Sequence, residues 1–282
     1  TGGTQVADYI NPTNTGFTVS FTSPSSNYAG TAHLYVGGAD FSPALTWTVS
    51  SGSTTYTITG DATAINQLAV GSNALTVVII DAAGNVGTAS STMNVIKDLT
   101  LPTLPTVTIA SNNSNTSYAK TGDVVSLSWS SSENIQTPTV TIAGHSATVS
   151  GSNQTWSANW TMASGDTEGS VAFTIAFSDI ASNAGTAVTA TTNASSVTYD
   201  KTAPSITTGA ITAPAAGAYW DGRSTTSNNI AWSTTKITDN NLTSAPLKLY
   251  YTTNANAGTP TWTIVNSSTN WSLINDIGLY TW

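Results

Sequence analysis

Two segments of this chain are versions of one another. Residues 75–87 read LTVVIIDAAGNVG and residues 173–185 read FTIAFSDIASNAG. Each is an apolar run, an aspartate (Asp81, Asp179), a turn of small residues, and an asparagine four positions on (Asn85, Asn183). A second landmark recurs with the first: residues 98–102 (DLTLP) and 200–204 (DKTAP) share D-x-T-x-P. Phe21, Trp129 and Trp232 close short alternating runs at the same interval, a little over 100 residues. A period of that length means a string of like modules, each burying its own core. The landmarks set the modules at 1–98, 99–200 and 201–282.

The runs themselves are strand-like. Residues 16–21 (GFTVSF), 125–129 (VSLSW) and 171–177 (VAFTIAF) alternate apolar and polar side chains with period two. They are rich in Thr, Val, Ile and Trp, and Gly, Asn, Ser and Pro bound them. No segment keeps the i, i+3, i+4 spacing of a helix, so the expected fold is all-β, a tandem of β-sandwiches. The proline ending each D-x-T-x-P has no N–H and a fixed φ, which stops the last strand and stiffens the junction. An elongated array is the expected result. The third module is the shortest; its last run, 278–282 (GLYTW), reads as a middle strand with no D-x-x-x-N hairpin after it. One or two strands are then missing there, and the expectation is a continuing polypeptide or a strand added by another subunit. The opening TGGT, without Met or an apolar signal, reads as a processed protein or a piece of a longer one.

A D-x-x-x-N hairpin followed by D-x-T-x-P at a junction resembles the bacterial immunoglobulin-like repeats of cell-surface proteins and adhesins. The resemblance extends over all three modules. It implies immunoglobulin-like sandwiches of about seven to nine strands, an extracellular location and a structural or adhesive role. The second module carries Ser182 where the first has Gly84, so its turn is expected to differ in detail.

Composition narrows the function. The 282 residues include only 6 basic and 14 acidic side chains, a formal net charge of −8, yet 39% are hydrophobic. Six scattered cations build no basic stripe for a phosphate backbone, which argues against nucleic acid. Its longest apolar run, 74–80, is strand-length and too short to span a bilayer as a helix. Without cysteine there are no disulfides, thiolate metal sites or thiol nucleophiles. A surface of Thr, Ser, Asn and Gly offers few sites to trypsin-like proteases, a composition common in exported proteins that pack into lattices.

The chemistry-bearing residues are few. His33 and His145 have no carboxylate close in sequence, and there is no G-x-S-x-G elbow, H-E-x-x-H or phosphate-cradling loop. They read as ordinary strand or loop histidines, and the chain as a non-enzyme. Residues 166–168 (DTE) read as an exposed turn. An isopeptide bond from Lys97 or Lys120 to an asparagine is not expected. The carboxylates suit calcium best, because hard cations take several oxygen ligands and junctions between sandwiches gather them from both sides. Asp98 is placed to meet Glu133 or Asp123, and Asp200 to meet Asp239 or Asp221; surface repeats of the family it resembles stiffen their linkers in this way. The alternative is that Asp81 and Asp179 form Asx-type turns while Asp98 and Asp200 accept backbone hydrogen bonds.

Aromatic residues offer a second site type. Trp156 and Trp160 are four apart on an expected strand and so share a face. Trp129, Trp156 and Trp232 read as core. Tyr251, Trp262 and Trp271 crowd the third module, where a glycan-stacking surface is the competing reading. The function expected is therefore an extracellular structural protein: a subunit of a surface layer, fibre or adhesin stalk that self-associates. A carbohydrate-binding adhesin module and a virion decoration or tail protein are the alternatives.

Overall fold

The computed structural model describes residues 2–22, 30–50, 52 and 55–206, and beyond them the backbone of short strands up to residue 281. Two compact units divide it, Thr1–Tyr199 and Asp200–Trp282. The first unit holds two separate hydrophobic cores, one drawn from residues 10–95 and one from 104–199.

The first core lies in a sandwich built from β1 (Tyr9–Ile10), β2 (Gly16–Thr22), β3 (Gly30–Val36), β4 (Ala39–Asp40), β5 (Thr46–Val49), β6 (Thr55–Asp61), β7 (Gly71–Ile80) and β8 (Met93–Lys97). One sheet has the order β1-β8-β7-β3-β4, with β5 also on β3; the other is the pair β2-β6. Alternation does the sorting: β6 (TYTITGD) buries Tyr56, Ile58 and Gly60 and exposes the residues between. Leu34, Ile58 and Leu75 are almost wholly enclosed.

The second sandwich comprises β9 (Thr106–Ser111), β10 (Tyr118–Ala119), β11 (Val124–Ser130), β12 (Thr139–Ile142), β13 (His145–Ser146), β14 (Thr148–Ser152), β15 (Thr155–Thr161), β16 (Gly169–Ser170), β17 (Phe173–Ala176) and β18 (Thr198–Tyr199). Its sheets run β14-β15-β11-β9 and β13-β12-β17, with a small third sheet β10-β18-β16. Trp129 and Trp156 sit opposite each other in the β11–β15 register and are both buried, in the core as the pattern implied. Trp160 is half-buried on the same face of β15. Tyr199 is fully enclosed, and its hydroxyl donates to Ala163 O at 2.7 Å. The two sandwiches repeat one closing device, a short parallel pair, β1 with β8 and β10 with β18.

One helix corrects the expectation of none. Residues Ala62–Gln67 form α1, begun by Asp61, whose carboxylate accepts from Ala64 N at 3.0 Å. Six residues are too few for a periodic signal, but the capping aspartate and the buried Ala64 and Ile65 hold the turn against the core. The far end is held by Lys97. Buried at 8% exposure, its ammonium donates to Ile65 O and Leu68 O, each at 3.0 Å, a cation on the negative end of the helix. Lys120 is engaged elsewhere, with Asp123 at 3.0 Å.

In the second unit, β19 (Ser205–Ile206), β20 (Ile211–Ala213), β21 (Asn229–Ser233), β22 (Ile237–Thr238), β23 (Tyr250–Tyr251), β24 (Thr263–Ile264), β25 (Ser272–Ile274) and β26 (Ile277–Thr281) form antiparallel pairings. The largest sheet is β20-β21-β26-β25, with β26 between two neighbours. The side chain of Trp232, on β21, lies outside the described residues. Removing the α1 cap by Asp61→Ala is expected to cost about 1 kcal/mol, read as a lower urea midpoint with an unchanged slope.

Candidate functional site

The D-x-x-x-N segments fold into the same clamp twice. In the first sandwich Asp81 Oδ1 accepts from Ala83 N and Asn85 N, and Oδ2 accepts the Asn85 amide at 2.8 Å. These bonds, the Asn85 side-chain amide foremost, hold the Asp81 carboxyl below the usual carboxylate range. In the second, Asn183 N and Nδ2 donate to Asp179 Oδ1 and Oδ2, both at 2.7 Å. The turns match in backbone as well: Gly84 N donates to Asp81 O, and Ser182 N to Asp179 O. The expected difference at Ser182 is one of detail within a shared turn. Ser182 takes φ +66° where Gly84 has +86°, and its hydroxyl accepts the Gln136 amide at 2.9 Å, a contact glycine has no atom to make.

What differs is the surroundings. The Asp81 clamp is open to solvent, whereas Asp179 and Asn183 are 1% and 4% exposed. Asn183 Nδ2 also donates to Asp98 O, in the link between the sandwiches, at 3.1 Å. From the first sandwich the buried Asn11 donates its amide to Ala181 O, within the same turn, at 2.8 Å. Thr103 and Ser132 then exchange two hydrogen bonds, tying the link to the second sandwich. The D-x-T landmark has a local cause: Asp98 Oδ1 accepts from Thr100 N, and Asp200 Oδ1 from Thr202 N, both at 3.0 Å.

This junction gathers acid. Carboxylate oxygens of Asp98, Glu133 and Asp179 lie within 4.8 Å of one another. Asp98 follows β8, Glu133 follows β11 and Asp179 follows β17, so the group forms only where the sandwiches meet. Glu133 Oε1 is shut off from solvent and has no hydrogen-bond partner. Burial first, then the charges of Asp98 and Asp179, push the Glu133 carboxyl above its ordinary range. Oxygen donors of this kind suit a hard divalent cation, which would neutralise the crowding and supply the missing partner.

Of the residues singled out by sequence, Asp98 and Glu133 thus stand together. Asp123 does not join them; it accepts from Lys120 N and Asn113 Nδ2, which with Lys120 lower its pKa. Asp179 completes the group, although in sequence it reads as a turn former like Asp81; only the fold brings it to the Asp98 junction. Asp200 is half-buried in the second unit. Asp221, Asp239, Trp262 and Trp271 lie outside the described residues, as does the side chain of Tyr251.

Both histidines have carboxylate partners that sequence distance hid. His33 Nδ1 lies 2.7 Å from Asp40 Oδ2 across the β3–β4 pair. His145 Nε2 lies 2.9 Å from Asp166 Oδ1, and its ring stacks on Trp160 at 4.4 Å between centroids. Asp166 is 4% exposed, correcting the expected open turn. It also accepts from the Trp160 indole at 3.1 Å and from Ala163 N at 2.8 Å. Burial works to raise its pKa, but the bonds from Ala163, Trp160 and His145 outweigh it and leave the carboxyl below the usual range. The arrangement pins the β12–β13 turn to the loop after β15.

No family model and no curated protein matches the chain. Twenty-four solved chains do. The fibronectin(III)-like modules of Clostridium thermocellum CbhA are 16% identical, with 68% of this chain and 87% of that one covered and a TM-score of 0.34. A Ca2+-stabilized adhesin with which an Antarctic bacterium reaches out and binds ice is 18% identical, with 100% and 66% covered and a TM-score of 0.42. A 1.5-MDa bacterial ice-binding adhesin, studied for host cell surface retention, is 18% identical, with 97% and 82% covered and a TM-score of 0.42. The all-β sandwiches rest on the strand pairings of this chain itself. Among the described residues no helix is long and apolar enough to cross a membrane.

An aspartate with a depressed pKa stabilises the fold above its unfolded pKa and loses that contribution as pH falls through the folded value. Asp166→Asn is therefore expected to cost about 1–3 kcal/mol at neutral pH. Denaturation from pH 7 to 2 should show the deficit closing below the ordinary aspartate pKa of about 3.9.

Proposed function

We propose that this chain is a stretch of an extracellular structural protein, a surface-layer, fibre or adhesin-stalk element, with modules at 1–98, 99–200 and 201–282. Its work is mechanical. The junction between the first two modules is held stiff by the Asp179–Asn183 clamp and by calcium bound among Asp98, Glu133 and Asp179. The observation that carries this reading is the unpartnered Glu133 Oε1, on a carboxyl grouped with those of Asp98 and Asp179 from both sides of a junction. A cation there ties the link after β8 to two loops of the second sandwich. Low charge and a hydroxyl-rich surface fit a spacer or lattice element, and the composition supports no catalytic assignment. Calcium takes six to eight oxygens, so carbonyls and water complete the shell.

The test turns on a change of sign. Without a cation, a carboxylate whose folded pKa is raised gives its full stability below its unfolded pKa and loses it as pH rises through the folded value. In EGTA at pH 7, Glu133→Gln is expected to melt higher than the parent chain. In calcium the order should reverse, because the parent gains about 2.7 kcal/mol when the ion is at 100 times its Kd and the variant gains less. A parent melt indifferent to calcium and EGTA would overturn the calcium reading.

A further inference from the structure

The first sandwich is entered and left through one pair of strands. β1 and β8 lie parallel in the register Tyr9↔Ile96 and Ile10↔Lys97. Ile96 N donates to Asp8 O and Asp98 N to Ile10 O, each at 2.8 Å. The other strands of the sandwich, β2 to β7, come between these two in the chain. Tension that enters ahead of β1 and leaves after β8 therefore pulls on opposite ends of a parallel pair. Its evenly spaced bonds are sheared together instead of being unzipped one by one. While the pair holds, residues 11–97 lie outside the path of the load.

Both strands run on into contacts with the second sandwich. The residue after β1 is the buried Asn11, whose amide donates to Ala181 O at 2.8 Å. The residue after β8 is Asp98, whose carbonyl accepts the Asn183 amide at 3.1 Å. Ala181 and Asn183 belong to one turn, which the Asp179 carboxylate holds closed. A second route thus joins the strand ends that the parallel pair joins: from Asn11 to the turn, and from the turn to Asp98. The twin turn at 81–85 sits in the first sandwich but offers no such route, because the side-chain bonds of Asp81 and Asn85 stay within it.

We infer that the 179–183 turn of the second sandwich is a mechanical staple for the first: it shares the load on the β1–β8 pair and sets how long the first sandwich survives under tension. The staple deepens the mechanical reading above and rests on it for its use alone. Its two hydrogen bonds act in series, so losing either one opens the whole route. Each is worth about two- to tenfold in a rupture rate. The strength of one module is then written partly in the sequence of the next, and a first sandwich parted from its neighbour is a weaker one.

The test holds the 282-residue chain at constant force in EGTA, so a melt indifferent to calcium would leave its result standing. The sequence has no cysteine, so handles attach uniquely at Gln5→Cys and Leu101→Cys, both exposed positions. They load the first sandwich and leave the second outside the stretched segment. The lifetime at fixed force reads the unfolding rate. Asn183→Ala is expected to shorten that lifetime about two- to tenfold, although it lies in the sandwich that is not pulled. Asn85→Ala, the same change in the loaded sandwich, is expected to leave it unchanged. Asn11→Asp keeps a side-chain oxygen to accept Thr13 N but loses the amide proton given to Ala181 O. It leaves the Asp179–Asn183 clamp intact and is expected to match Asn183→Ala. A parental lifetime in either Asn183→Ala or Asn11→Asp would overturn the inference, as would an equal loss in Asn85→Ala.

Discussion

The two hydrogen bonds from Asn183 to Asp179 fix more of this molecule than their number implies. They hold a left-handed turn in a non-glycine sequence, and they aim the remaining Asn183 proton at the carbonyl of Asp98. Because the clamp is buried, each of its polar groups must be partnered, and unmaking one leaves the others desolvated and unsatisfied. The first sandwich answers with Asn11, whose buried amide reaches the same turn. A flexible link between sandwiches would have no need of two buried asparagines. The same closeness brings Asp98 and Asp179 against Glu133, so the contacts that order the junction also concentrate its negative charge.

Much of this was legible in the sequence, for physical reasons. Alternation of period two in residues such as Val125, Leu127 and Trp129 reports which face of a strand is buried, and those faces are the core. The recurrence of D-x-x-x-N and D-x-T reports backbone turns that need those side chains, so it survives wherever the turn does. The pairing of Asp98 with Glu133 followed from placing a junction at Asp98. What stayed hidden depends on contacts between distant segments. His145 meets Asp166 across 21 residues, and nothing local to either marks the meeting. Asp179 reads identically to Asp81, and only burial separates a solvated clamp from one that joins two modules. The short helix at Ala62–Gln67 is a product of its cap and of Lys97, which lies far along the chain.

On this account the first two sandwiches move as one body through the clamp at Asp179. Residual dipolar couplings measured over residues 2–199, in calcium, test it most directly. A rigid junction predicts that couplings from both sandwiches fit one alignment tensor, and that Asn183→Ala splits them into two. Two unlike tensors in the unmutated chain would contradict the account.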